Sequence, residues 1–437
     1  MTPPPRSPSR IPIPRSTFNN LPYQRPSLTV SPSQHPNSSP RPPNLLQSET
    51  NKMPATIRVI GSLNADMVSV TPRFPDAGET ITSSAYFTSA GGKGANQAVA
   101  CGRQSRPRPQ TPTPTQNPTE THSTSPNTSD VAVEMAGAVG GLDGHFDALL
   151  KPTLEQSGVS TKNVRVVPDA YTGVAVIIVD SSAGGENRIL FSPGANYSGM
   201  QCVPEVVGMS CLEPIPDVMI LQGEIPTDTT VALLGGVAGW KKTYRENGRR
   251  GLDAGADVVF NPAPAPPGGL PVEVYRGVDH LVMNETEAEI MTPGEEVLLG
   301  VPGIEAGQDG KEKVARYFHS LGVTFVIITL GAKGVWYSAA GAEGVERVVK
   351  EVPAAKVSRV LDTTAAGDTF VGAYAVQIAR WRERRRVEGR AGEDLSAEEQ
   401  KARYEVVMEA IEVATRAAAR CVERQGAMDS IPWEDEI

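Results

Sequence analysis

From residue 57 onward, short runs of branched apolar residues alternate with segments of helical periodicity. That alternation confines the chain to helices packed on both faces of a mainly parallel sheet, a three-layer α/β sandwich. The runs fall at 57–60, 131–135, 174–179, 218–221, 258–260 and 325–329. In such layers ligands bind beyond the carboxyl ends of the strands, so the residues after each run are the candidates for function.

Three stretches break the pattern. Residues 1–54 hold thirteen prolines by Pro43, interspersed with Ser and Arg and without apolar periodicity, and read as a disordered extension. Its Arg- and Ser-rich, acid-poor composition partly resembles an organelle transit peptide, but the prolines oppose the amphipathic helix such a peptide forms. Import is therefore the secondary reading and a cytoplasmic location, with the nucleus as a second one, the primary; a start of translation at Met53 is a further alternative. Residues 103–130 form a Pro/Thr-rich insertion, the one kind of long loop a compact domain tolerates. Residues 381–400 mix Arg and Glu at helical spacing and read as a solvated face.

The net charge is −9, and residues 1–52 carry six Lys or Arg against Glu49 alone, so the body is more acidic than the whole. An acidic body excludes a nucleic-acid binder, which needs clustered Lys and Arg to neutralise phosphates. No apolar run approaches the ~18 residues that span a bilayer. Cys101, Cys202, Cys211 and Cys421 form no C-x-x-C pair and read as reduced, mostly buried thiols.

Chemistry concentrates in a few motifs. After the first run, G-S-L-N-A-D places Asn64 and Asp66 two apart, on one side of an extended chain, where an amide and a carboxylate can grip adjacent hydroxyls of a polyol. Residues 90–100, A-G-G-K-G-A-N-Q-A-V-A, put Gly92, Lys93 and Asn96 at the opening of a helix with free amides. This is no Walker A loop: Phe87 occupies the first glycine position and Gly94 follows the lysine. Nor does it supply a dinucleotide fingerprint, which disfavours an NAD-dependent dehydrogenase. Residues 362–373, D-T-T-A-A-G-D-T-F-V-G-A, set Asp368 among the first amides of another helix, where a transferring phosphoryl group can be received. N-E-T-E, at 284–287, puts Asn284 and Glu287 three apart, either a capping box or a magnesium-water site. T-L-G-A-K-G, at 329–334, is either a hairpin turn or the edge of a nucleotide site.

Taken in order with N-P-A-P-A at 261–265, these motifs resemble the ribokinase family, within the phosphofructokinase-B-like carbohydrate kinases. The resemblance covers 57–433 apart from the insertion, with one departure: Asp147 stands where the family pattern has glycine. It implies ATP-dependent phosphorylation of D-ribose at its 5-hydroxyl, with another sugar or a nucleoside as the alternative substrate. By the same resemblance Asn64, Asp66, Gly92, Lys93, Asn96 and Glu224 contact the sugar and Asp368 is the general base. The amides of Ala365, Ala366 and Gly367 form an anion hole. Asn284 and Glu287 organise Mg²⁺ with ATP, and Thr329, Gly331, Gly334 and Gly367 line the nucleotide site. Asp362, Thr364, Cys421, Gly426 and Ser430 match positions that hold a K⁺ activator. A small β-sheet lid, from parts of 66–89 and 172–191, implies a homodimer. A catalytically silent, sugar-binding scaffold is the reading from another class, and an intact Asp368 argues against it.

Overall fold

The computed structural model describes residues 54–109, 131–182 and 186–437. The expected N-terminal extension lies outside them, as do residues 110–130 of the expected insertion.

Two sheets are formed. The large one runs β13-β12-β11-β10-β9-β8-β1-β4-β5. Its strands are β1 (Ala55–Ile60), β4 (Val131–Gly140), β5 (Val159–Val167), β8 (Val218–Leu221), β9 (Asp257–Phe260), β10 (His280–Asn284), β11 (Phe325–Thr329), β12 (Val335–Ala339) and β13 (Val348–Val352). Pairing is parallel from β5 to β11 and antiparallel only at β11–β12 and β12–β13. The smaller sheet, β3-β2-β6-β7, comprises β2 (Asn64–Thr71), β3 (Ala85–Gly91), β6 (Gly173–Asp180) and β7 (Glu186–Ser192).

The helices that matter for function are α1 (Lys93–Gln104), α2 (Thr227–Glu246), α3 (Glu285–Met291), α4 (Gly310–Ser320), α5 (Ala366–Val387) and α6 (Ala397–Val422). They are divided between the faces of the large sheet by the two-residue period of its strands. Ile57, Val59, Val259, Val282 and Ile327 pack toward α1, α5 and α6, whereas Ile60, Val258, Leu281, Met283 and Val326 pack toward α2 and α4. Because both faces are covered, the strands carry continuous apolar runs rather than alternating ones.

Three expectations are corrected. The insertion does not begin at 103: Arg103 and Gln104 are helical, and their side chains donate to the carbonyls of Met428, Ile431 and Pro432. Thiols are not mostly buried, since Cys202 and Cys211 are exposed. The stretch 381–400 is solvated only in part. Trp381, Arg382 and Arg385 are buried, with Arg382 paired to Asp217 and Asp257 and Arg385 to Glu399. A guanidinium leaves water only where carboxylates and carbonyls replace it, and here acids at the starts of β8 and β9 do so.

At the departure noted above, the chain makes a π-helical turn over Phe146–Leu150 with Asp147 exposed. No helix among the described residues is long and apolar enough to cross a membrane.

Candidate active site

The carboxyl ends of β1, β8, β9, β10 and β11 open into a cavity of about 390 Å³, roofed by Ala175, Ile177, Ile189 and Phe191 of the smaller sheet. Of the residues expected to serve function, Asn64, Asp66, Gly92, Lys93, Asn96, Glu224, Asn284, Glu287, Thr329, Thr364, Ala365, Gly367 and Asp368 line it.

Two helix starts shape the floor. Gly92 precedes α1 at φ 91°, and a Cβ there would sit 2.7 Å from the Asn64 amide nitrogen, so only glycine permits the approach. The Lys93 backbone amide then donates to Glu224 Oε2 at 3.0 Å, and the Ser62 hydroxyl donates to the same oxygen at 2.6 Å. At α5 the residue before the helix is Ala365, among the described residues the one non-glycine residue with positive φ, at 59°. This left-handed cap turns the chain so that Ala365 and Gly367 face the cavity. Ala366 does not line it, and its amide donates to the Thr363 carbonyl at 3.3 Å.

Asp368, in the first turn of α5, is 5 % exposed. Its Oδ2 accepts from Asn96 Nδ2 at 3.0 Å and its Oδ1 from Gln97 Nε2 at 2.9 Å. Asn64 Oδ1 accepts from Asn196 Nδ2 at 2.7 Å. Burial, then the charges of Glu224 and Asp368, push the Asp66 carboxyl up to about 7. The Asp368 charge, with Glu224 and Glu287, raises the Lys93 ammonium against the effect of burial, and burial raises Glu287. Lys93 is thus the cation common to these carboxylates.

Asn284 and Glu287 form a reciprocal capping box at the start of α3, and both also line the cavity. Gly331 and Gly334 do not reach the cavity. They flank the 3₁₀ turn of the β11–β12 hairpin, where Gly334 is held by close approach to the 352–354 backbone. Asp362, Thr364, Cys421, Gly426 and Ser430 gather beside the α5 start. Asp362 accepts from the Thr364 and Gly426 amides, and the Cys421 thiol lies 3.6 Å from the Thr364 carbonyl and 3.0 Å from Ser430 Oγ.

A profile of the pfkB family carbohydrate kinases matches residues 55–202 and 248–434. The chain belongs to the pfkB family of carbohydrate kinases. Among pfkB relatives, a ribokinase of Schizosaccharomyces pombe is 34% identical over 379 residues, 86% of this chain and 94% of the relative. The ribokinase structure from Thermotoga maritima superposes with a TM-score of 0.61 at 29% identity, covering 87% of this chain and 97% of that one. An Arabidopsis thaliana ribokinase complexed with ribose and ATP gives 0.60 at 27% identity, covering 88% and 97%.

Sequence reasoning missed Gln97, Gln222, Asn261 and Asn196, all buried beside the pfkB site. The first three stand inside or next to the quoted motifs, and their signal is position: Gln222 and Asn261 directly follow strands β8 and β9.

Proposed function

We propose that the chain transfers the γ-phosphoryl group of ATP to the 5-hydroxyl of D-ribose, giving ribose 5-phosphate and ADP. The observation that carries this reading is the buried Asp368 carboxylate at a helix start, sharing one cavity with Asn64 and Asp66. The similarity to ribokinases over most of both chains points to ribose among the sugars.

Phosphoryl transfer requires alignment, charge stabilisation and a base for the attacking hydroxyl. Asp66 and Glu224 present carboxylate oxygens to sugar hydroxyls, Asn64, whose Oδ1 accepts from Asn196, adds its amide group, and the Ile177, Ile189 and Phe191 side chains lie over them. Asp368 takes the hydroxyl proton as the oxygen attacks. The amides of Ala365 and Gly367, at the positive end of α5, receive charge developing on the phosphoryl oxygens. Lys93 adds a positive charge from the facing helix start.

Among the described residues no cluster of three or more His, Cys, Asp or Glu could hold a metal alone, which suits a magnesium ion bound mainly by nucleotide and water. Asn284 and Glu287 would hold its waters; Glu287 uses Oε2 in the capping box. When bound, magnesium neutralises charge on the ATP phosphates. The group around Asp362, one carboxylate among carbonyl and hydroxyl oxygens, fits a potassium ion, whose charge would support the neighbouring anion hole. Apolar side chains exposed on the smaller sheet support a homodimer, and a cytoplasmic setting, with the nucleus as a second one, accords with ATP as substrate.

A panel of ribose, deoxyribose, fructose and adenosine, assayed for ATP consumption with and without potassium, tests the proposal. Turnover of ribose no faster than that of adenosine or fructose would overturn the assignment of substrate. Asp368→Asn should lower turnover by at least ~10², as expected for loss of a positioned base.

A further inference from the structure

We infer that Gln97, held by Gln222 and Asn261, is a positioning residue for phosphoryl transfer: three buried amides form a one-way hydrogen-bond relay that aims the Asp368 carboxylate into the cavity. The inference rests on the reading of Asp368 as the base.

Gln97 is fully buried, Gln222 is 1 % exposed and Asn261 8 %. A side-chain amide can present either its oxygen or its nitrogen, and beside a carboxylate only the nitrogen is tolerable. Here the choice is made at the far end. Asn261 Nδ2 donates to the Val282 carbonyl at 2.9 Å, and a carbonyl can only accept. Asn261 Oδ1 therefore faces Gln97, whose Nε2 donates to it at 3.1 Å and to Asp368 Oδ1 at 2.9 Å. Gln97 Oε1 is then left to accept from Gln222 Nε2 at 2.7 Å. Reversing any amide would set two acceptors or two donors against each other in a buried setting.

The relay joins five elements. Gln97 lies on α1, Gln222 and Asn261 follow β8 and β9, Val282 belongs to β10, and Asp368 opens α5. Strand β10 also ends in Asn284, so the base is tied to the strand that leads into the residues assigned to magnesium and ATP. Together with Asn96 on Oδ2, Gln97 occupies one lone pair on each carboxylate oxygen. That holds the group against rotation and leaves a lone pair free for the substrate hydroxyl.

The test compares wild type with Gln97→Ala and the isosteric Gln97→Glu. Gln97→Ala is expected to lower kcat ~10- to 100-fold with the KM for ATP nearly unchanged, because a misaimed group costs the chemical step rather than nucleotide binding. Gln97→Glu keeps the volume but can donate to Asp368 only when protonated, so its activity relative to Gln97→Ala should fall as pH rises. A packing role alone predicts a Gln97→Glu enzyme near wild type with an unaltered pH profile. Wild type that fails to phosphorylate ribose would sink the kinase reading. Active wild type together with Gln97→Ala within about twofold of it would sink the relay instead. A crystal structure of Gln97→Ala decides independently of turnover: the Asp368 carboxylate should rotate from its wild-type position, and an unmoved carboxylate overturns the inference.

Discussion

Asp66 is 7 % exposed, and burial beside Glu224 and Asp368 raises its carboxyl from 3.8 to about 7. Since the folded value lies above the unfolded one, its contribution to stability is complete below pH 3.8 and is lost as pH rises toward 7, by roughly 4 kcal/mol at most. Asp66→Asn removes this dependence, so its thermal midpoint should overtake that of the wild type by a margin that grows up to neutral pH. In a calorimetric titration the same variant should bind ribose more weakly. Ala365 stores strain of a different kind. Its φ of 59° is one an L-residue adopts at a cost of roughly 1–2 kcal/mol. Ala365→Gly should relieve that, less the extra chain entropy of glycine, and stabilise the protein by up to about 1 kcal/mol in a denaturant titration.

At the scale of elements, the site depends on how closely α1 crosses α5. Gly372, one turn after Asp368, lies where a Cβ would come within 2.9 Å of the Gln97 carbonyl and 2.8 Å of the Cys101 amide nitrogen. Without that close crossing, Asn96 and Gln97 could not reach the carboxylate. Gly372→Val should push the helices apart and lower kcat at least ~10-fold, with far-UV circular dichroism preserved, as expected when overpacking displaces helices without unfolding them. The other end of α5 obeys a different constraint. Arg382 and Arg385 are buried among Asp217, Asp257 and Glu399, which anchors the helix against the amino ends of β8 and β9 while its first turn faces their carboxyl ends.

At the scale of the molecule, the two sheets divide the labour: the large one positions the chemistry and the small one covers it. The small sheet also exposes Tyr86, Phe87, Ile189, Leu190 and Phe191, with Leu190 at 65 %. Tyr86 and Phe87 lie on one edge strand and residues 189–191 on the other; Leu190, between the two residues that roof the cavity, points to the opposite face, and such exposed apolar side chains suit a second copy of the chain. Leu190→Asp is expected to convert a dimer to a monomer in light scattering and to raise the KM for ribose severalfold; an unchanged mass equal to that of one chain for the wild type would exclude the dimer.

The layered α/β architecture, the places where glycine-started helices open, and the polar residues that follow β1, β10 and β11 were legible in the amino-acid order. Each is a local property: strand periodicity, glycine's freedom at positive φ, and the direction of a chain leaving a strand act over a few residues. Gln97, Gln222 and Asn261 were not legible as a unit. A lone buried amide carries no sign of its partner, and these three meet because β8 and β9 end side by side and α1 brings Gln97 to both. The same holds for Arg382, which looks solvated beside the Glu residues near it in sequence and is buried because Asp217 and Asp257, far earlier in the chain, pair with it. Which residues lie at strand and helix ends was thus decided by the sequence itself. Which of them are buried, paired or shifted in protonation was decided only by the tertiary structure, because desolvation and charge depend on neighbours in space.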